Sequence, residues 1–254
     1  MSTARFSERL LPELFIAVLL VLAAFGMLVT FSASVFYAQD VLHNRWFFVQ
    51  RELAWLGIGC LAGLIAFRVH YQTVQRYSYH LFGLAIVLLA LVLMPGIGRT
   101  ANNASRWLSF GGLTVQPSEF AKYAVIIFVA NWLSRNRRHL HRFVRCTVPL
   151  LVVVLIPTLL ILKEPDLGTP VVIVATVMLM LFIAGVPLRH LALIVASAVP
   201  PLIALVWFVP YRMRRLIVFL NPDADPLNTG FQIRQSLIAI GSGKINGVGL
   251  GMSV

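Results

Sequence analysis

Lys163, Glu164 and Asp166 place three charges within four residues, between two apolar stretches. That is more charge than a turn requires. Thr169 is suited to cap the helix that follows, with Pro170 at its first position. A second polar run reads Gln116-Pro117-Ser118-Glu119-Phe120-Ala121-Lys122. Pro117 fits a first helical turn, and Gln116 or Ser118 is placed to satisfy the free amides there. Glu119 and Lys122 stand three apart and share one helix face. A local ion pair is the plain reading. We favour the sharper one, in which a charged pair at the end of an apolar segment faces a bundle interior or a wet cavity. Arg106-Trp107 lies upstream in a polar loop. Arg212, Arg214 and Arg215 lie downstream, followed by Gln232, Gln235 and Ser236 on one helical face and then by Lys244. Cations of this kind suit an anionic substrate, and carboxylates suit proton transfer.

Other chemistries fail on the residues. The run Gly241-Ser242-Gly243-Lys244 resembles a phosphate-binding glycine loop, but that loop needs Gly four residues before its final Gly-Lys and Ser or Thr after the Lys. Here Ala239-Ile240 precede and Ile245 follows. The six histidines form no cluster, and no metal-ligand set emerges. Cys60 and Cys146 sit in or beside apolar blocks and read as small hydrophobes, neither disulfide-bonded nor metal-ligating.

The elements that must position these residues are membrane spans. Apolar residues make up 59% of the 254, charged residues only 12%, and the mean hydropathy is +0.86. A soluble domain averages about 25% charged. Long apolar blocks separated by short polar stretches predict an all-α, polytopic transmembrane helical bundle. Seven candidate spans centre on 11–29, 53–67, 81–94, 120–133, 148–162, 170–183 and 191–209. Arg5 and Arg9 before the first block, and Ser32-Ala33-Ser34 after it, raise a cleaved leader as an alternative. The block's length favours a retained span. Pro157 and Pro200-Pro201 fall inside spans and predict irregular helices.

Orientation follows from the loops. Arg135, Arg137, Arg138, Arg142 and Arg145 crowd one connection, with no acid from 134 to 147, which marks it as cytoplasmic. A cytoplasmic N-terminus agrees with it. Segments 36–51, 95–117, 163–169 and everything after Pro210 then face outward. Residues 1–210 are read as spans with short loops, and 211–254 as an external loop. Within that loop, 230–240 forms an amphipathic helix at the interface, with Ile233, Leu237 and Ile240 on its apolar face. The net charge of +12 arises from 21 Lys and Arg against 9 Asp and Glu. It is scattered among apolar spans, which fits membrane topology and argues against nucleic-acid binding. Several cations nevertheless fall on the outward side; one reading is that long loops obey the positive-inside rule poorly, the other that external cations meet an anionic substrate.

These segments resemble the SEDS family of bacterial membrane proteins, which includes FtsW and RodA. The resemblance is carried by 26–34 (GMLVTFSAS), Arg106-Trp107, 116–122 (QPSEFAK), 163–169 (KEPDLGT) and 219–253 (FLNPDADP…FQIRQSLIAIGSGKINGVGLGMS). Ser32-Ala33-Ser34 at the end of span one, with the ending at 247–253, is closer to the FtsW pattern. Asn102-Asn103-Ala104 departs from the family's Asn-Gly-Ala, and Gly241-Ser242-Gly243-Lys244 from its Gly-Ser-Gly-Gly. The resemblance implies glycosyl transfer on lipid II outside the cytoplasmic membrane, making septal glycan strands with a class B penicillin-binding protein and other division proteins. It implies substrate-binding roles for Arg106, Trp107, Glu119, Lys122, Lys163, Asp166, Arg214, Gln235, Ser236 and Lys244. A divalent cation is the only cofactor it suggests. The family's presumed catalytic Asp and its last spans would fall beyond Val254, so no catalytic residue is assigned here and the chain given is expected to be inactive alone. A lipid II flippase and a non-catalytic division scaffold are the rival functions. The clustered polar residues sit at span ends, not at the midplane where a transporter binds its cargo.

One contact follows from matched depth. Lys122 enters span four and Asp166 precedes span six on the same side. Opposite charges at the low-dielectric boundary predict neighbouring spans and a Lys122–Asp166 bridge within about 4 Å, with Glu119 as the local alternative.

Overall fold

The computed structural model describes residues 2–94, 98–101, 104–110, 113–164, 166–221, 223, 230–244 and 247–249. The sequence motifs at Asn102-Asn103, Pro165, 224–226 and the ending at 250–253 lie outside these. The chain forms two compact units, Val69–Ala204 and a second made of Met1–Arg68 with Leu205–Val254.

In the second unit, helix α1 runs Ser2–Leu42 and α2 Phe47–Arg68. They form a hairpin. Phe31 stacks on Trp46 with ring centroids 4.8 Å apart, and Ala38 is completely buried where the helices close. His43 takes a left-handed φ of 52° at the turn, and Asn44 Oδ1 accepts the Trp46 amide at 3.0 Å. The expected loop at 36–51 therefore shrinks to a few residues, and Ser32-Ala33-Ser34 lies inside α1 rather than at its end. Ser34 Oγ donates to the Thr30 carbonyl at 2.6 Å, which lets a hydroxyl sit in a helix without a free donor. Two shorter helices complete this unit, α8 Pro210–Leu220 and α9 Phe231–Gly243. α9 is the helix expected at 230–240. α8 corrects the reading of 211–220 as loop: Pro210 starts it, with its missing donor at a position that needs none.

The first unit holds α3 Tyr71–Val92, α4 Pro117–Arg135, α5 Val148–Lys163, α6 Gly168–Ile183 and most of α7 Leu188–Trp207. Each buries a stripe. On α3, residues Ser78, Phe82, Ala85, Leu89 and Val92 recur every three or four positions, as do Leu150, Val154, Pro157 and Ile161 on α5 and Ile173, Val177 and Leu181 on α6. α4 is central and packs on α3, α5 and α6. Small residues Ala121 and Ala124 on α4 allow close approach, which drives helix association where lipid removes the hydrophobic incentive. Phe82 stacks on Phe128 at 4.4 Å. The opposite faces, such as Val152, Leu155, Ile156 and Leu159 of α5, are exposed and apolar, as lipid-facing surfaces are.

Helices α1 to α7 coincide with the seven candidate spans. Among the described residues, four regions are long and apolar enough to cross a bilayer: Pro12–Leu42, Phe47–Arg68, Tyr71–Val92 and Phe143–Lys163. Gly168–Ile183 and Leu188–Ala204 are apolar but shorter. The all-α expectation needs one correction. The polar loop before α4 contains a three-stranded antiparallel sheet in the order β1 (Arg99–Ala101), β2 (Ala104–Phe110), β3 (Leu113–Val115).

At the other end, α4 passes into a 3-10 turn, Arg137–His139, and a π-helical turn, Phe143–Thr147. The Trp132 indole donates to the Cys146 carbonyl at 3.2 Å and ties that turn to α4. Cys60 is exposed and Cys146 is buried.

Candidate functional site

The chemistry-bearing residues of the first unit gather where the sheet, the start of α4 and the α5–α6 hinge meet. We call this the hairpin end. β2 packs against α3 and α4. Its alternation turns Leu108 inward, 5% exposed, while Trp107 stays open at 37%. Arg106 shares the Leu108 face. Its Nε donates to the main-chain carbonyl of Glu164 at 2.7 Å, just past the last turn of α5. A cation at a helix C-terminus meets the unpaired carbonyls and the negative end of the helix dipole.

Glu164 itself is buried, 1% exposed, and among the described residues neither carboxylate oxygen has a hydrogen-bond partner. Burial pushes its pKa up to about 8. The Asp166 carboxylate pushes the same way, and Arg106 offsets part of it. The carboxyl is therefore mostly protonated at neutral pH. Neutralisation is how a protein avoids the cost of a buried, unpaired charge.

Asp166 has a different task from the one expected. Its Oδ1 accepts the amides of Gly168 at 2.9 Å and Thr169 at 3.3 Å, and its Oδ2 accepts the Thr169 hydroxyl at 2.8 Å. Asp166, not Thr169, closes the start of α6, where a carboxylate also suits the helix dipole. The expected Lys122–Asp166 bridge is absent because both partners are engaged elsewhere. Lys122 Nζ lies 2.9 Å from Glu119 Oε2, the local alternative, one turn away on the same helix. The neighbour expectation holds, since α4 packs on α6. Between them a cavity of about 150 Å³ is lined by Lys122, Tyr123, Val125 and Ile126 of α4 and by Val172, Ile173 and Thr176 of α6. Gln116 also departs from its expected role. Its Nε2 donates to Ser118 Oγ at 2.8 Å, and Ser118 is fully buried.

The structure thus brings Arg106, Trp107, Glu119, Lys122, Lys163 and Asp166 to one end of one unit. Lys163 is exposed there. Arg214 on α8, Gln235 and Ser236 on α9 and Lys244 just after α9 belong to the other unit, and all four are exposed. Ser236 Oγ donates back to the Gln232 carbonyl at 2.8 Å. Glu164 is named in the sequence within the 163–166 charge cluster but given no role of its own there. Its cue was the charge density of 163–166, which does not say which carboxylate is buried.

Apolar helices with outward-facing apolar stripes, and charged side chains collected at one end, define a multi-span membrane protein with a polar site at its rim. The chain belongs to the FtsW/RodA/SpoVE family, whose model, described as "Cell cycle protein", matches residues 12–254. It is 38% identical to Stage V sporulation protein E of Bacillus subtilis over 95% of this chain and 66% of that one. It is 40% identical to the probable peptidoglycan glycosyltransferase FtsW of Saccharophagus degradans, over 94% of this chain and 62% of the relative. A chain from a solved peptidoglycan synthase complex superposes with a TM-score of 0.68 at 31% identity, covering 89% of this chain and 65% of that chain. A mutant of the rod shape determining protein RodA of Thermus thermophilus gives 0.54 at 28% identity, covering 74% of this chain and 58% of that chain. The chain therefore spans about three-fifths to two-thirds of the length of these curated relatives.

Proposed function

We propose that the whole protein is a peptidoglycan glycosyltransferase that polymerises lipid II into glycan strands during septal wall synthesis. The observation that carries this reading is the match over residues 12–254 to a family with relatives named peptidoglycan glycosyltransferase FtsW. The geometry of the hairpin end suits the chemistry. Departure of a polyprenyl diphosphate develops negative charge, which Arg106, Lys122 and Lys163 are placed to stabilise. A carboxylate is the group suited to deprotonate the acceptor hydroxyl.

In this reading the seven helices α1 to α7 cross the cytoplasmic membrane with the N-terminus inside. The hairpin end faces outward, and α9 lies at the outer interface, where Arg214, Gln235, Ser236 and Lys244 meet substrate. The protein acts with a class B penicillin-binding protein at the septum. The similarity to a chain of a peptidoglycan synthase complex supports a partner of that kind. Flippase activity is disfavoured because the charges collect at helix ends and not at the midplane. The test is strand synthesis by the purified full-length protein with its partner, supplied with lipid II. Glycan polymer is expected. Lipid II movement across vesicles without polymer would instead support the flippase.

A further inference from the structure

We infer that the end of the first unit opposite the hairpin is a binding site for an anionic phospholipid. The headgroup phosphate sits on the arginines after α4, and an acyl chain lies in the groove between α3 and α4. The inference rests on the reading that this end is cytoplasmic.

Charge in this unit is sharply divided. Its acids, Glu119, Glu164 and Asp166, all lie at the hairpin end. The connection from α4 to α5 carries five arginines and two histidines from 134 to 147, with no acid. Arg137, Arg138, Arg142 and Arg145 are exposed, and among the described residues no carboxylate pairs with them. Each such cation near an anionic membrane surface is worth about 1 kcal/mol of attraction, or about fivefold in binding.

Charge alone would serve any polyanion. The second observation selects a lipid. A groove of about 500 Å³ opens beside this connection, lined by Val69, Tyr71 and Val74 on the α3 side and by Ile127, Ala130 and Ser134 on α4. Its wall is apolar over most of its length and polar where Gln75 and Asn131 meet. That polar corner is rigid. Asn131 Oδ1 accepts from Gln75 Nε2 at 3.3 Å and from Arg135 Nε at 3.2 Å, and Asn131 Nδ2 donates to Ser78 Oγ at 2.7 Å. The Arg135 guanidinium lies over the Tyr79 ring, 5.7 Å from its centroid. A cation is thereby fixed beside the groove before any ligand arrives, which lowers the ordering cost of binding. A molecule with both a phosphate and an alkyl chain matches charge and groove together. Free phosphate, nucleic acid or an acidic protein matches the charge only.

The test is native mass spectrometry of the full-length protein, released from detergent containing equimolar phosphatidylglycerol and phosphatidylcholine. Phosphatidylglycerol should be retained at least about fivefold over phosphatidylcholine, with loss of about fivefold per arginine in an Arg137→Gln/Arg138→Gln variant. Ala130→Phe, which fills the groove, should lower retention while leaving the arginines intact. Should that variant fail to fold, the arginine pair decides. Equal retention of the two lipids would overturn the proposal. So would glycerol 1-phosphate or an oligonucleotide displacing the lipid at matched concentration, since either would make the arginines a general anion patch. Micelles have no leaflets, so this outcome is independent of whether the loop is cytoplasmic, which cysteine labelling decides separately.

Discussion

At the scale of residues, Glu164 is a buried acid whose carboxylate has no hydrogen-bond partner among the described residues. Its ordinary pKa is 4.5 and its folded value is about 8, so the folded state holds a proton that the unfolded chain has released between those values. Stability then falls as pH rises from about 4.5 to about 8 and levels off above, because the unfolded state binds fewer protons throughout that window. Glu164→Gln keeps the shape and removes the ionisation. We expect the variant to lose this slope and to melt at least about 3 °C above the parent at pH 8.5, where ~1 kcal/mol corresponds to 2–4 °C for a chain of this size. Parallel melting curves across that pH range in the two proteins would refute a buried carboxyl. Lys122 makes the complementary case. It bonds to Glu119 at 2.9 Å with side chains 28% and 55% exposed, so their coupling should be about 0.2–1 kcal/mol in a double-mutant cycle. Lys122→Ala and Asp166→Ala should be additive, and a Lys122–Asp166 coupling above about 1 kcal/mol would restore the bridge that the sequence suggested.

At the scale of elements, the α6–α7 connection shows how a helix stops. The Val186 amide reaches the Leu181 carbonyl at 3.1 Å and the Gly185 amide reaches Phe182 at 3.0 Å, satisfying carbonyls the helix end would otherwise leave open. Val186 and Leu181 are both buried and close the cap. Gly185 has φ +86° and open space where a Cβ would stand. Gly185→Ala should therefore cost only the backbone term, about 1 kcal/mol, seen as a small fall in melting temperature with unchanged activity. A neutral result would mean that the turn relaxes.

The helices were legible because period and apolarity agree over many turns, and α1 to α7 lie where the apolar blocks predicted them. The sheet was not. Its strands are short, and the Asn102-Asn103 and Gly111-Gly112 pairs that separate them were the available turn signals. α8 was missed because Arg212, Arg214 and Arg215 interrupt any apolar run. The site was legible as a set of charges at span ends, since polar residues are rare enough in such a chain to stand out. Which charge pairs with which was not legible. Glu119, Asp166 and Glu164 have nearly the same chemistry in sequence and three separate fates in the fold: surface pair, helix cap and buried acid.

At the scale of the whole molecule, topology and function stand together. The 135–145 connection should be cytoplasmic and the 163–169 hinge external. Membrane-impermeant labelling of single cysteines introduced at Arg138 and Lys163 should therefore modify only the second from outside. Labelling of both from one side would break the seven-span reading. The central claim is that the hairpin end carries the charge chemistry of glycan polymerisation, and Arg106 holds it together by reaching the end of α5. The most direct measurement is the rate of strand synthesis from lipid II by the full-length protein carrying Arg106→Ala, alongside its melting temperature. The account predicts a fall of about 100-fold or more, the scale on which one lost transition-state donor acts, in a protein that still melts cooperatively. A folded Arg106→Ala protein polymerising at the parent rate would contradict it.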